Sequence, residues 1–266
     1  MGFRKKIRQA FWIERGLGML PNERDDRDYL YRVNNNALDR VSGDISLEQY
    51  STVVDQGSTS SCVGNAVAGA VWIKENQSGK GYLYPSRNWL YWNARYRHQG
   101  VNVTDDGTFI RECCKALCKV GVPDEKLWPF KKSRINNRPE FGLFMKADPR
   151  KGGAYYAITQ SGDARITAIR SALAEGHPVV FGTRLVESFM SAKGSSIIEK
   201  PKDGEDSVGR HAMVIIGHKE EGLFRVLNSW GKYWRDEGKC WFTDEYIAWG
   251  GTRDLTIIKG WKRLES

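Results

Sequence analysis

From Cys62 onward the apolar positions Val63, Ala66, Val67, Ala70 and Val71 fall at the i, i+3, i+4, i+7 and i+8 places of a helix with one buried face. A second helix is expected from Ser86, whose hydroxyl suits an N-cap, through Trp89, Leu90 and Trp92 toward Arg97. A third opens at Thr108 and stops at Gly121, with Ile110, Cys113, Cys114, Leu117 and Cys118 on its apolar stripe. After a fourth, from Asp163 to Ala174, the pattern changes. The stretches 178–183, 211–217, 223–228, 239–243 and 255–258 are short and apolar, separated by glycine and charged turns, and read as strands. Helices first and strands later predict an α+β chain of two segregated lobes, helical over about 46–150 and stranded over about 151–262.

Residues 1–45 stand apart, charge-rich and with a turn signal at Asn34-Asn35-Asn36, and are read as an arm. Within it Phe3, Ile7 and Phe11 recur at helical spacing beside Arg4, Lys5 and Arg8. A short basic amphipathic helix of this kind suits a membrane surface or a partner protein, so docking through residues 1–20 is one expectation, and a helix packed on its own globule the other.

Composition narrows the classes. With 266 residues, 40% of them hydrophobic and 27% charged, the chain can bury a sizeable core, and disorder along most of it is excluded. No apolar run of about 18 residues predicts a membrane-spanning helix. Glu14 and Arg15 interrupt the apolar run that a signal peptide would need after the basic start, and Lys6 stands where a myristoylation motif wants a hydroxyl. The net charge of +9 is scattered, without zinc-finger spacing or an RNA-recognition signature, so nucleic acid is not an expected partner. Five cysteines make no even disulfide framework and point to a reducing compartment. Three of them share one helix face, which suits core thiols and not a metal site.

Candidate chemistry begins at Cys62. The first turn of a helix offers unpaired N–H groups and a positive dipole end, which favour a thiolate. His211 opens the apolar stretch to Gly217, and Leu223 to Leu227 returns to Asn228-Ser229-Trp230-Gly231, so a hairpin can set His211 beside Asn228. An amide oxygen accepting from one imidazole N–H leaves the other ring nitrogen to face a thiol.

On these residues the sequence resembles the papain-like cysteine peptidases over roughly residues 45–260. Gln56 precedes Cys62 as that family's oxyanion glutamine precedes its nucleophile, the Gly57, Ser61 and Cys62 framework matches, and Asn228-Ser229-Trp230-Gly231 is the asparagine motif. Asp105-Asp106-Gly107-Thr108-Phe109 looks like the glycine segment that hydrogen-bonds substrate backbone, and Trp128-Pro129-Phe130 like the family's aromatic-proline turn. The resemblance implies a two-lobe fold, with a helical lobe, an antiparallel barrel-like lobe and the active site in the cleft between them. It implies Cys62 as nucleophile, His211 as acid and base, Asn228 as its orienter, and Gln56 with the Cys62 N–H as oxyanion donors. Trp230 would shield the His211–Asn228 bond and border the substrate, Gly107 would bind substrate backbone, and Phe109 would line the pocket for the second residue before the cut. No cofactor and no metal are implied.

Departures carry information too. Thr59 and Thr104 stand where many secreted members have a disulfide pair, which fits bacterial or viral members and a cytoplasmic or virion-associated protein. Val63, Asp106 and Arg235 replace family residues near the site. The long inhibitory pro-segment has no counterpart, so control comes from elsewhere or from the arm itself. Arg210 beside His211 is expected to favour polar or acidic substrate groups, whereas His98, His177 and His218 read as structural. Function is therefore expected to be cysteine endopeptidase action on protein or peptide. The alternative is a structural or docking component of a larger assembly, a viral one among the options, that retains the fold with little or no proteolysis, and a transferase on the same thioester would use identical residues.

Overall fold

The computed structural model of the chain describes residues 15–39, 43–79, 83–147, 150–151, 153–191 and 197–260. The first half holds β1 (Met19–Leu20), α1 (Asn35–Asp39), β2 (Ile45–Ser46), α2 (Cys62–Asn76), α3 (Arg87–Gln99), β3 (Thr108–Phe109), α4 (Ile110–Val120) and α5 (Gly142–Ala147). The second holds β4 (Ala154–Ile158), α6 (Gly162–Ala174), β5 (Val179–Val186), α7 (Glu187–Ser191), β6 (Ile197–Ile198), β7 (Ser207–Lys219), β8 (Leu223–Leu227), β9 (Lys239–Thr243), α8 (Asp244–Ala248) and β10 (Thr252–Lys259). The basic stretch Phe3–Phe11 lies outside the described residues.

Helix α2 is buried on nearly every side, beyond the single face that its periodicity predicts, because it runs between α3 and the sheet. Small residues permit that approach: a Cβ on Gly64 would lie 2.7 Å from the Tyr91 Cβ. Helix α3 starts as expected, with Ser86 Oγ accepting the Trp89 N–H. Helix α4 begins after Phe109 and not at Thr108, since Thr108 and Phe109 are extended and pair with β1. Its end at Gly121 agrees with the sequence, the glycine taking a φ of +70°.

All five expected strands form. They join into an eight-stranded sheet of order β4-β10-β5-β7-β8-β9-β6, with β2 added to β7. Pairings are antiparallel except β6 with β9. The edge strands β4 and β6 do not pair with each other among the described residues, so the stranded lobe is not a closed barrel, and the α+β class expected above stands. Strand β7 is its axis, because a long apolar strand can serve β5 along one edge and β8 along the other while one face packs on α2.

Residues 15–33 hug this body. Arg111 of α4 grips the Asp28 carboxylate at 2.6 Å, and the backbones of Tyr29 and Tyr31 exchange hydrogen bonds with Ala157 on β4. Tyr31 is buried, its hydroxyl in reach of Ser171 and Glu175.

Candidate active site

Cys62 forms the head of α2 and meets β7 at Ala212, whose backbone amide lies against its sulfur. The hairpin β7–β8 does what its length predicts. Val214 lies opposite Leu227, and just beyond this register His211 Nε2 reaches Asn228 Oδ1 at 2.7 Å. Asn228 Oδ1 is an acceptor, so Nε2 carries the proton and the other ring nitrogen, Nδ1, is left buried without a hydrogen-bond partner. The Trp230 ring lies 4.7 Å from the imidazole, covering it.

The glutamine and asparagine motifs are stitched together by backbone. Asp55 bridges Trp230, the Gln56 N–H donates to the Ser229 carbonyl at 2.9 Å, and the Gly231 N–H donates to Val54. This brings Ser229 Oγ 2.7 Å from Gln56 Oε1, so the hydroxyl fixes which way the amide faces. Gln56 Nε2 then points outward and donates to the Thr59 carbonyl at 2.8 Å and to the Gly16 carbonyl at 3.0 Å.

That second acceptor belongs to the arm. Residues 15–20 form a strap lying in the cleft. Arg15 pairs with Asp55 at 3.2 Å, and the Gly18 backbone amide lies against the Cys62 sulfur. The Gly18 carbonyl accepts from the Thr108 N–H at 2.8 Å, and β1 pairs in parallel with β3. Two strap residues have to be glycine. A Cβ at Gly16 would sit 1.8 Å from the Thr59 carbonyl oxygen, and one at Gly18 would sit 2.0 Å from that of Ser60. The cleft wall is shaped to match: Gly182 admits Met19, Gly209 admits Leu17, and Gly107, at φ +87°, admits the Gly18 carbonyl.

Burial decides the electrostatics. Beneath the strap Cys62 is fully buried, and its thiol is pushed up to about 11 in spite of the N–H groups aimed at it. The thiolate favoured by the helix head is thus absent in the covered state, because desolvation outweighs the dipole. Burial likewise pushes the His211 imidazole down to about 4, with Asn228 opposing the shift. Both groups are neutral across the middle of the pH range.

All seven residues singled out in the sequence border this one cleft. Cys62, His211, Asn228, Gln56 and Trp230 converge at its centre, and Gly107 and Phe109 border its far end, where Phe109 pairs with Leu20 and stands edge-on to His98. One contact shifts by a residue: Gly107 gives its N–H inward to Tyr91 Oη, and the N–H that meets the strap is that of Thr108. Arg210 lies opposite Arg184 on β5, in the field of Arg253 and Asp254. His98 bonds Thr108 and His218 bonds Asp244, so both are tied into the frame, and burial lowers His177 to about 4. Where a disulfide was expected to be missing, the Ser60 N–H donates to Asp105 at 3.0 Å and joins the same two loops. Arg235, standing for a glycine, keeps a φ of +47°. Ser229 and Asp55 were missed, although each sits inside or beside a recognised motif.

Comparison with known proteins agrees with this geometry. The description "papain family cysteine protease" matches residues 44–247. An uncharacterised peptidase C1-like protein of Acanthamoeba polyphaga mimivirus is 33% identical over 212 residues, covering 77% of this chain and 68% of that protein. Xylellain, a cysteine protease from Xylella fastidiosa, superposes with a TM-score of 0.84 at 28% identity, over 94% of this chain and 97% of its own. Procathepsin B of Trypanosoma congolense is alike in fold, with a TM-score of 0.69 at 14% identity over 92% and 86% of the two chains. Motif order, fold and relatives converge, and the chain belongs to the papain family of cysteine proteases.

Proposed function

We propose that the protein hydrolyses peptide bonds through Cys62 and His211, and that residues 15–20 keep it latent by crossing the cleft against the direction of a substrate. One observation carries this reading: a peptide carbonyl, that of Gly16, already accepts from Gln56 Nε2 at 3.0 Å, next to the buried Cys62. A site that holds peptide backbone in this way is complementary to an amide substrate.

With the strap displaced, water returns to Cys62 and His211, and the thiol passes its proton to His211 Nδ1. The thiolate attacks the substrate carbonyl carbon, whose oxygen takes up charge between Gln56 Nε2 and the Cys62 N–H. His211 gives its proton to the departing amine, leaving a thioester. It then takes a proton from water, whose hydroxide attacks the thioester and frees the acid and the thiol. Asn228 holds the imidazole in the tautomer this requires.

Direction explains why the strap is not itself consumed. The departing amine has to meet His211, which lies under Trp230, so a substrate's C-terminal part leaves toward Trp230. The strap has its N-terminal end there, with Arg15 over the Trp230 ring, and runs on toward β3. The amide nitrogen bonded to the Gly16 carbonyl is therefore on the β3 side, away from Trp230.

The test uses the full chain carrying Gly18→Ala, which the Ser60 carbonyl cannot accommodate. Turnover of a mixed fluorogenic peptide pool by this variant, abolished by a further Cys62→Ala or His211→Ala, is the expected result. A folded Gly18→Ala chain that cleaves no peptide and leaves Cys62 unlabelled by iodoacetamide would overturn it, in favour of a structural or docking component.

A further inference from the structure

We infer that Asp55 and Trp230 form a subsite for a cationic side chain, arginine above all, in the first or second residue after the cut. The inference rests on the peptidase reading and adds a specificity to it.

The strap supplies the template. Arg15 directly precedes the residue whose carbonyl occupies the position facing Gln56. Its Nη1 straddles the Asp55 carboxylate, 3.2 Å from one oxygen and 3.4 Å from the other, and its guanidinium carbon lies 5.9 Å from the centre of the Trp230 ring. An acid and an aromatic face together recognise a planar cation better than either does alone. Because Trp230 roofs the imidazole that must protonate the departing amine, the place held by Arg15 is on the leaving-group side.

Asp55 is held ready for a substrate once Arg15 has gone. Its backbone bridges Trp230, its carbonyl accepts from Arg87 Nη1 at 3.1 Å, and its Oδ1 accepts the Gly57 N–H at 2.8 Å. Gly231 leaves the space beside Oδ2 clear, where a Cβ would come within 2.8 Å. Arg15 is its single ion-pair partner among the described residues, and the Asp55 side chain is half exposed. Removal of the strap therefore leaves an oriented, solvent-facing and uncompensated carboxylate at the mouth of the leaving-group side.

The experiment reads kcat/KM of the full-length Gly18→Ala chain on internally quenched peptides varied between Arg, Ala and Glu at the first and second residues after the cut. Arg over Glu by about tenfold at one of these positions is expected, the size of one partly exposed charge contact plus a cation–π contact. Asp55→Asn keeps the acceptor for Gly57 and removes the charge, so it should bring that ratio close to one. A ratio near one before the change, or one that Asp55→Asn does not alter, overturns the subsite while cleavage itself upholds the peptidase. If no peptide is cleaved, the peptidase reading fails separately. The same peptides are then titrated by tryptophan fluorescence against the Gly18→Ala chain: tighter binding of Arg than Glu peptides that Asp55→Asn erases supports the subsite, and equal binding overturns it.

Discussion

Cys62 and the pair Cys113 and Cys114 are all fully buried free thiols at helices, yet they are set up for opposite fates. Burial drives the thiols of α4 far above the ordinary range, with nothing to oppose it at Cys113. At Cys62 the same burial reaches only about 11, because N–H groups of Ala212, Gly18, Val63 and Cys62 itself surround the sulfur. The reason is positional. Backbone N–H groups in the middle of a helix are spent on the preceding turn, whereas those at its head are free to meet a ligand or a sulfur. The second difference is what does the burying: packed helix and sheet surround Cys113 and Cys114, whereas the strap of residues 15–20 lies over Cys62. Depth alone therefore says little about reactivity. What matters is which cover can leave.

The comparison can be broken most severely at the imidazole. In the Gly18→Ala chain, His211→Ala should lower peptide turnover by about 10²- to 10⁴-fold, the range for losing a general acid and base, and leave Cys62 as inert as Cys113. Stopped assays on purified protein with matched circular dichroism would measure this. Next comes Gln56→Ala in the same background, expected to lose about 10²- to 10³-fold in kcat with little change in KM, since the amide meets charge that exists only in the transition state. Gly18→Ala itself should raise iodoacetamide labelling of Cys62 by about tenfold or more at neutral pH, with Cys113 and Cys114 unmodified as the internal standard by mass spectrometry.

Acidity sharpens the contrast more gently. Opening returns His211 from about 4 toward its ordinary 6.5, so the open form binds the proton more tightly and a fall in pH below 6.5 favours it. Opening also returns Cys62 from about 11 toward 9.0, so the open form sheds the thiol proton more readily and a rise in pH above 9.0 favours it as well. Cover is tightest in between. Hydrogen-exchange protection of the Thr108 amide, which donates to Gly18, should peak near neutrality and fall on either side, while the Leu117 amide of α4 stays flat. The smallest effect belongs to Arg15→Ala, which removes one partly exposed ion pair and should speed Cys62 labelling only a few-fold.

Much of this was legible in the residues. Helical spacing after Cys62, the N-cap at Ser86 and the apolar pair of runs around Gly217 specify α2, α3 and the β7–β8 hairpin, and motif order specifies the central residues. The strap was not legible, because a two-residue pairing such as Met19–Leu20 with Thr108–Phe109 leaves no periodicity to read. The strand order was not legible for a related reason: alternation marks a strand but not which edges meet. The covered state of the thiol was not legible because a helix head announces its dipole in sequence, while the desolvation imposed by a segment more than forty residues away does not. Ser229 was quoted within its motif and given no role, since its partner Gln56 is reached only through the backbone bridge at Asp55 and Trp230.

A cover laid backwards has a kinetic consequence. If the strap is displaced and not cut, as proposed above, it stays tethered and competes afresh after every turnover at a fixed effective concentration, which for short tethers is on the order of millimolar. Every substrate then meets a site that is free only for a fraction of the time, and its apparent affinity is reduced by that same fraction. Such a protein would respond weakly to scarce peptides and work where they are abundant, the strap between Arg15 and Leu20 then setting a threshold on supply.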